Sequence, residues 1–257
     1  MDVFQLNRGN RPLLISLPHD GTEVPPGFAV RMTPEAARLP DTDWHVGRLY
    51  AFAGLLGASV IRPRFSRYLI DLNRAPDDAE LYPGRNTTGL CPVQRFDGGP
   101  VYRDGCQPDA GERRHRVDAY WRPYHEALAA ELARLRQAHG RAVLWEGHSI
   151  RGQCPFLFDG VLPDLNLGTA GGASCTDDLR GRLLALLSGQ TDYTWVADGR
   201  FKGGYITRHY GRPADGIEAI QLEIAQRTYL NEADFEYLDD RAERLQALLH
   251  RLLEACL

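Results

Sequence analysis

AVLWEGHSIRG, residues 142–152, decides how this chain is read. Four apolar residues, Ala142 to Trp145, run without a break into Glu146, Gly147, His148 and Ser149. A short continuous apolar run is the pattern of a strand buried on both faces, as inside a parallel sheet. Ligands of such sheets bind beyond the carboxyl ends of the strands, so the polar residues that end this run fall where a site belongs. Two chemistries present themselves. Gly147 to Arg151 nearly match the G-x-S-x-G nucleophile elbow with Ser149 as nucleophile, but Arg151 stands where the second glycine must let strand and helix approach. Alternatively, His148 is an imidazole ligand that a rigid strand delivers to a metal.

Outward from this strand, short apolar runs alternate with helical patterns. PLLISLP (12–18), ASVIRP (58–63), YLIDL (68–72), YTWVA (193–197) and IEAIQLEIA (217–225) read as further strands. In DTDWHVGRLYAFAGLLGA, Asp41 or Asp43 is placed to cap a helix whose Val46, Leu49, Tyr50, Ala53 and Leu56 share a face. The longest helical pattern runs from Glu112 to Gly140, and Pro123 should kink it or mark its true start. Residues 175–189 and 234–257 give two more helices. Strands alternating with helices argue for an α/β fold with helices on both faces of the sheet. No internal repeat or interdomain linker interrupts it, so residues 1–257 read as a single domain. The Gly- and Pro-rich segment 76–111, with Tyr82, Leu90, Val93, Phe96 and Tyr102, reads as an ordered loop covering the site.

Composition narrows the function class. With 43% hydrophobic and 25% charged residues the chain is globular, and a net charge of −4 offers no basic field for nucleic acid. No apolar run is long enough to cross a membrane, and the N-terminus does not have the pattern of a signal peptide. The five cysteines are scattered, without a CxxC pair, which points away from a disulfide framework or thiolate zinc site and towards a cytoplasmic setting.

Several strand ends carry reactive groups. PLLISLP leads into His19 and Asp20, YLIDL into Asn73 and Arg74 with Asp71 inside it, and Glu223 interrupts the apolar IEAIQLEIA. In the metal reading, His19 and His148 are ligands from two strand ends, and a carboxylate completes three protein ligands with a position left for water. Asp43 is the best-placed carboxylate, with Asp41, Asp20 and Glu23 as competitors. Zinc suits such a nitrogen and oxygen donor set.

Taken together, PLLISLPHDG, LPDTDWHVGRLY, SRYLIDLNR, LYPGRNTTGLCP, WRPYH, EGHSIRG, FDGVLPDLNLGT, GRFKGGYITRHYG and IQLEIAQRTYL resemble the N-formylglutamate deformylase (N-formylglutamate amidohydrolase) family. The resemblance runs in order from about residue 10 to the C-terminal helix. It implies a small-molecule substrate, N-formyl-L-glutamate, hydrolysed to L-glutamate and formate as the last step of one bacterial histidine-degradation route. It also implies a central mixed, mostly parallel sheet of the zinc-carboxypeptidase-like (phosphorylase/hydrolase-like) kind.

By the same resemblance Zn²⁺ is held by His19, His148 and, as third ligand, Asp43, while Glu223 is the general base. Asn73 and Arg74 are similar to the pair with which carboxypeptidases hold a carboxylate and polarise its carbonyl. Arg208, His209 and Arg151 are further candidates for substrate contact, followed by Arg67 and Arg85, and Ser149 would orient a histidine ligand. The family's first motif often has a small residue where this chain has Asp20. Two alternatives stay open: a zinc amidohydrolase for another N-acyl or N-formyl amino acid or short peptide, and a non-catalytic binder of an acidic amino acid. The binder would need arginines but no general base.

Overall fold

A computed structural model of the chain describes residues 2–80, 84 and 86–257. Its strands are β1 (Phe4–Asn7), β2 (Leu13–Ser16), β3 (Ser59–Pro63), β4 (Ala142–Ile150), β5 (Leu165–Gly168), β6 (Trp195–Ala197) and β7 (Ile217–Ala225). The α-helices are α1 (Pro26–Ala29), α2 (Val46–Leu49), α3 (Ala110–Arg116), α4 (Arg122–His139), α5 (Asp177–Ser188), α6 (Tyr205–Tyr210) and α7 (Asp239–Glu254). One sheet joins the strands in the order β1-β3-β2-β4-β7-β5-β6. β3, β2, β4 and β7 run parallel, β1 is antiparallel to β3, and β5 is antiparallel to β7 but parallel to β6. The fold is thus α/β, with the mixed, mostly parallel sheet that the sequence implies.

β4 and β7 are buried along their whole length and pair from Ala142–Ile217 to Ile150–Ala225. Alternate residues of a strand face opposite ways. On one face Val143, Trp145, Ile220, Leu222 and Ile224 pack against Leu179 and Leu183 of α5 and Leu245, Leu249 and Leu252 of α7. Each such buried leucine contributes roughly 1.5–3 kcal/mol of transfer free energy. Gly147 lies on this face, where a Cβ would meet Leu17 Cδ2 at 2.7 Å and Tyr50 Cε2 at 3.0 Å; its bare backbone lets both lie against the strand.

The opposite face changes character halfway along. It begins with Ala142, Leu144, Ile217 and Ala219 against Leu128, Leu132 and Leu135 of α4. It continues with Glu146 and His148 on β4, in register with Gln221 and Glu223 on β7. The amino-terminal half of this face is core, and the carboxyl-terminal half is polar and buried.

Two sequence expectations need correction. YLIDL (68–72) is a series of turns whose backbone is bonded outside the sheet, Leu69 N–H to Ser66 O at 2.9 Å and Asp71 N–H to Leu90 O at 2.7 Å; its apolar side chains Ile70 and Leu72 pack beside Leu90 and Trp121. The helix expected from Asp41 or Asp43 is reduced to α2 and a 3-10 turn, Ala51–Leu56, with His45 at φ 63° and no side-chain cap. Neither aspartate is free to cap: Asp41 Oδ2 accepts the Phe96 N–H at 2.8 Å and Asp43 Oδ2 the Ser149 N–H at 3.2 Å. As Pro123 led the sequence to suggest, the long helix is divided just before it, by a π turn at Val117–Trp121; the proline has no N–H to give to the carbonyl four residues back. Strands β1 and β5 and helix α6 were not foreseen; the strands are only four residues long, and α6 only six, too short for periodicity to register.

The described part of segment 76–111 is held by its own apolar side chains. Leu90 and Cys91 enter the core under α4, and Val101 and Tyr102 pack with Phe28, Met32 and Tyr68. Tyr82 and Arg85 lie outside the described residues.

Candidate active site

His148 projects from β4, and His19 follows three residues after the end of β2. An irregular turn brings Asp43 to them: its N–H donates to His19 O at 3.1 Å, and Leu39 and His45 on either side have φ of 52° and 63°. All three side chains are buried, and one ligand atom from each lies within 4.8 Å of the others. Asp43 Oδ2 is 3.1 Å from His148 Nδ1 and 3.7 Å from His19 Nδ1. Two imidazole nitrogens and a carboxylate are the donor set of a catalytic zinc site. Asp43 Oδ1 is buried without a hydrogen-bond partner among the described residues, with Arg67 Nη1 at 3.7 Å, so a closely bound cation would satisfy it. The donors present therefore fit a divalent metal.

The competing carboxylates are engaged elsewhere. Asp20 pairs with Arg62 and accepts the Gly47 N–H at 3.1 Å, so it anchors the start of α2. Asp41 holds the Phe96 amide, and Glu23 faces Arg64.

Behind each histidine stands another carboxylate. His19 Nε2 donates to Asp71 Oδ1 at 2.7 Å, and Asp71 also takes Arg67 Nη2 at 2.7 Å and the Asn73 N–H at 2.9 Å. His148 Nε2 lies 2.6 Å from Glu146 Oε1. Such partners fix ring orientation and leave the opposite nitrogen for a ligand. Burial and then the Arg67 charge push His19 down, against Asp71. Burial would also lower His148, but the Glu146 and Asp43 carboxylates outweigh it and hold the imidazolium well above the usual range. Burial opposes ionisation of Asp71, yet His19, Arg67 and Arg74 hold it well below the usual carboxylate range.

The two histidines open on a cleft. Glu223, in register with His148 on the neighbouring strand, lines the same cleft. Burial pushes its carboxyl up to about 8 against the His148 charge. Arg67, Asn73, Arg74 and Arg200 line the cleft as well, with Asn86, Thr87, Thr88 and Phe96 from segment 76–111. Arg67 is committed to Asp71 and lies 4.7 Å above the Phe96 ring. Arg74 is oriented by backbone, donating from Nε to Thr88 O at 2.7 Å.

Three residues expected to touch substrate are not brought to the cleft. Arg208 and His209 are exposed because α6 turns Ile206, Thr207 and Tyr210 inward, and His209 stacks on Tyr205 at 4.9 Å. Arg151 lies beyond the end of β4, with its guanidinium 5.4 Å from the centre of the Phe235 ring. Ser149 does line the cleft, but its Oγ accepts from Tyr229 Oη at 2.7 Å and from Gln226 Nε2 at 3.3 Å. It orients Asp43 through its backbone N–H rather than a histidine through its hydroxyl, and no base addresses it as a nucleophile.

Sequence reasoning passed over Arg200, Gln221 and the tie from Glu146 to Thr207. Arg200 was within reach: it follows β6, and the strand-end rule that found His19 also applies there.

The N-formylglutamate amidohydrolase family model matches residues 11–230. The chain belongs to the N-formylglutamate amidohydrolase family. Within it, the N-formylglutamate deformylase of Pseudomonas aeruginosa is 51% identical over 257 residues, which is 100% of this chain and 96% of the relative. The N-formylglutamate deformylase of Pseudomonas putida is 50% identical over 256 residues, 99% of this chain and 96% of the relative. In fold, the chain is similar to the crystal structure of N-formylglutamate amidohydrolase from Ralstonia eutropha JMP134, with a TM-score of 0.83 at 24% identity over 98% of this chain and 96% of that one. A gene product of Agrobacterium tumefaciens has a TM-score of 0.72 at 20% identity, covering 99% and 96%.

Proposed function

We propose that this family member hydrolyses the formyl amide of N-formyl-L-glutamate to L-glutamate and formate with a single zinc ion, in the cytoplasm, as a step of histidine degradation. The observation that carries the reading is that His19, Asp43 and His148 converge, with the two histidines on a cleft that Glu223 and several arginines also line. Relatives about half identical to this chain bear the deformylase name.

His19 Nδ1, His148 Nδ1 and Asp43 would hold the ion. When bound, zinc supplies Lewis acidity, polarising a carbonyl and lowering the pKa of water at the site. Glu223 then accepts the proton of the water whose oxygen bonds to the formyl carbon. As the C–N bond breaks, Glu223 returns that proton to the departing amine, which leaves glutamate and formate. A nearby cation favours the carboxylate form that this task requires, countering the burial that raises Glu223. Arg74 balances the negative charge that develops on the carbonyl oxygen. Arg200, with Asn73, holds the carboxylates of the substrate, since a guanidinium fork matches carboxylate geometry. Segment 76–111 covers the cleft and limits what acyl group and side chain enter.

Formate release across N-formyl and N-acetyl amino acids, with and without a chelator, tests the reading. N-formyl-L-glutamate should be the best substrate, with activity lost to the chelator and restored by zinc. Chelator-resistant turnover, or equal turnover of an N-acetyl amino acid, overturns it.

A further inference from the structure

We propose that Glu146 is a positioning residue that sets the tautomer of His148 and links it to the segment entering α6. This inference rests on the metal reading of His19, Asp43 and His148. Glu146 and His148 are two apart on β4, so their side chains rise from the same face of the strand. Glu146 is fully buried, and its two oxygens serve different elements. Oε1 lies 2.6 Å from His148 Nε2. Oε2 accepts both the backbone N–H of Thr207, at 3.1 Å, and the Thr207 hydroxyl.

A second group contends for the same imidazole nitrogen. Asn73 Nδ2 stands 3.1 Å from His148 Nε2. An amide nitrogen only donates, so bonding to Nε2 would require that nitrogen to be bare and the proton to sit on Nδ1, against Asp43. The carboxylate requires the reverse, with Nε2 protonated and the Nδ1 lone pair turned to the metal. A charge-assisted bond is shorter and about twice as strong as a neutral one, so Glu146 decides the tautomer. Asn73 cannot rotate out of the contest, because its Oδ1 already accepts the Ile206 N–H at 2.9 Å. Its amide donor is thereby left to the cleft that Asn73 lines.

The Thr207 end explains why a carboxylate, and not an amide, occupies this position. Two donors of Thr207 point at Oε2, so a glutamine would put its oxygen there and its NH₂ against His148 Nε2. That orientation imposes the wrong tautomer. The same bonds hold the turn into α6, where Asn73 Oδ1 and Gln221 Oε1 secure the Ile206 and Gly204 amides. Gly203 and Gly204 line the cleft, so one buried carboxylate connects a metal ligand to the wall against which substrate rests.

The test is zinc affinity by chelator competition, with the visible absorption of the cobalt-substituted protein as a readout of coordination. It is applied to wild type, Glu146→Gln, Thr207→Val and Thr207→Ser. The expected result is a zinc affinity loss of about ten- to hundred-fold in Glu146→Gln, with an altered cobalt spectrum. Thr207→Val should show a smaller loss in the same direction, and Thr207→Ser, which restores the hydroxyl, the wild-type affinity. Wild-type affinity and spectrum in both Glu146→Gln and Thr207→Val overturn the proposal. A wild-type protein that takes up no zinc overturns instead the metal reading on which it rests.

Discussion

His148 and Glu223 stand opposite each other in register on β4 and β7, both buried and both facing the same cleft. Neighbouring parallel strands therefore present a candidate metal ligand and a candidate base side by side, held by the most extensive strand pairing in the sheet. Because the two roles belong to different residues, they separate on mutation. Glu223→Gln should keep the zinc stoichiometry of the wild type while formate release falls by about 10²- to 10⁴-fold. Metal analysis and turnover on one preparation check this, and loss of zinc along with activity would make Glu223 a ligand instead.

In the proposed function Arg200, on the segment after β6 and lining the cleft, pairs with the side-chain carboxylate of the substrate. Replacing it by Met should lower kcat/KM for N-formyl-L-glutamate by about 10- to 100-fold, the loss of one charge-assisted pair worth roughly 1.5–3 kcal/mol. N-formyl-L-glutamine should lose much less. The ratio of the two kcat/KM values is the readout, and an unchanged ratio would remove Arg200 from side-chain recognition.

Ser149 discriminates between the two chemistries that AVLWEGHSIRG first suggested. Its hydroxyl accepts from Tyr229 and Gln226, which also donate to Trp44 O at 2.8 Å and Thr42 O at 3.1 Å, so Ser149→Ala removes two bonds but leaves both donors an acceptor and should cost about 1 kcal/mol of stability. Formate release at 25 °C should remain within a few-fold of wild type. A loss of several orders of magnitude would restore the serine as nucleophile.

The extent to which the sequence disclosed this site follows from where its parts lie. His148 and Glu223 sit on long strands whose unbroken apolar runs are visible in any window, and a polar residue inside such a run draws attention. His19 was found by the strand-end rule. Asp43 was harder, since its approach depends on an irregular turn with two non-glycine residues at positive φ, which no periodicity reports. Arg208 and His209 misled because a six-residue helix has no pattern to tell its inward face from its outward one. YLIDL has the composition of a strand, but its apolar side chains serve a buried turn whose backbone bonds Ser66 and Leu90 rather than a neighbouring strand, and composition alone does not separate the two.

His125 predicts how stability depends on pH. It is buried on α4, where Nε2 meets Leu72 O at 2.8 Å and Nδ1 meets Tyr210 Oη at 3.0 Å, and burial pushes it down to about 3. The unfolded chain takes up this proton near 6.5, whereas the folded protein resists it until about 3. The neutral ring's contribution is therefore full above pH 6.5 and is lost as pH falls through the window below it, at up to about 1.4 kcal/mol per pH unit. Denaturant midpoints of wild type and His125→Gln between pH 7 and 4 should converge as pH falls; parallel curves would show that His125 is not buried as a neutral ring.

The central claim is that two histidines 129 positions apart in sequence, His19 and His148, hold one metal on which deformylation depends. The most direct measurement is zinc content and N-formyl-L-glutamate turnover, on the same samples, for wild type and His148→Ala. The account predicts one zinc per chain in the wild type, and loss of both zinc and formate release in the variant. A folded His148→Ala protein that retains its zinc and its full rate of formate release would contradict it.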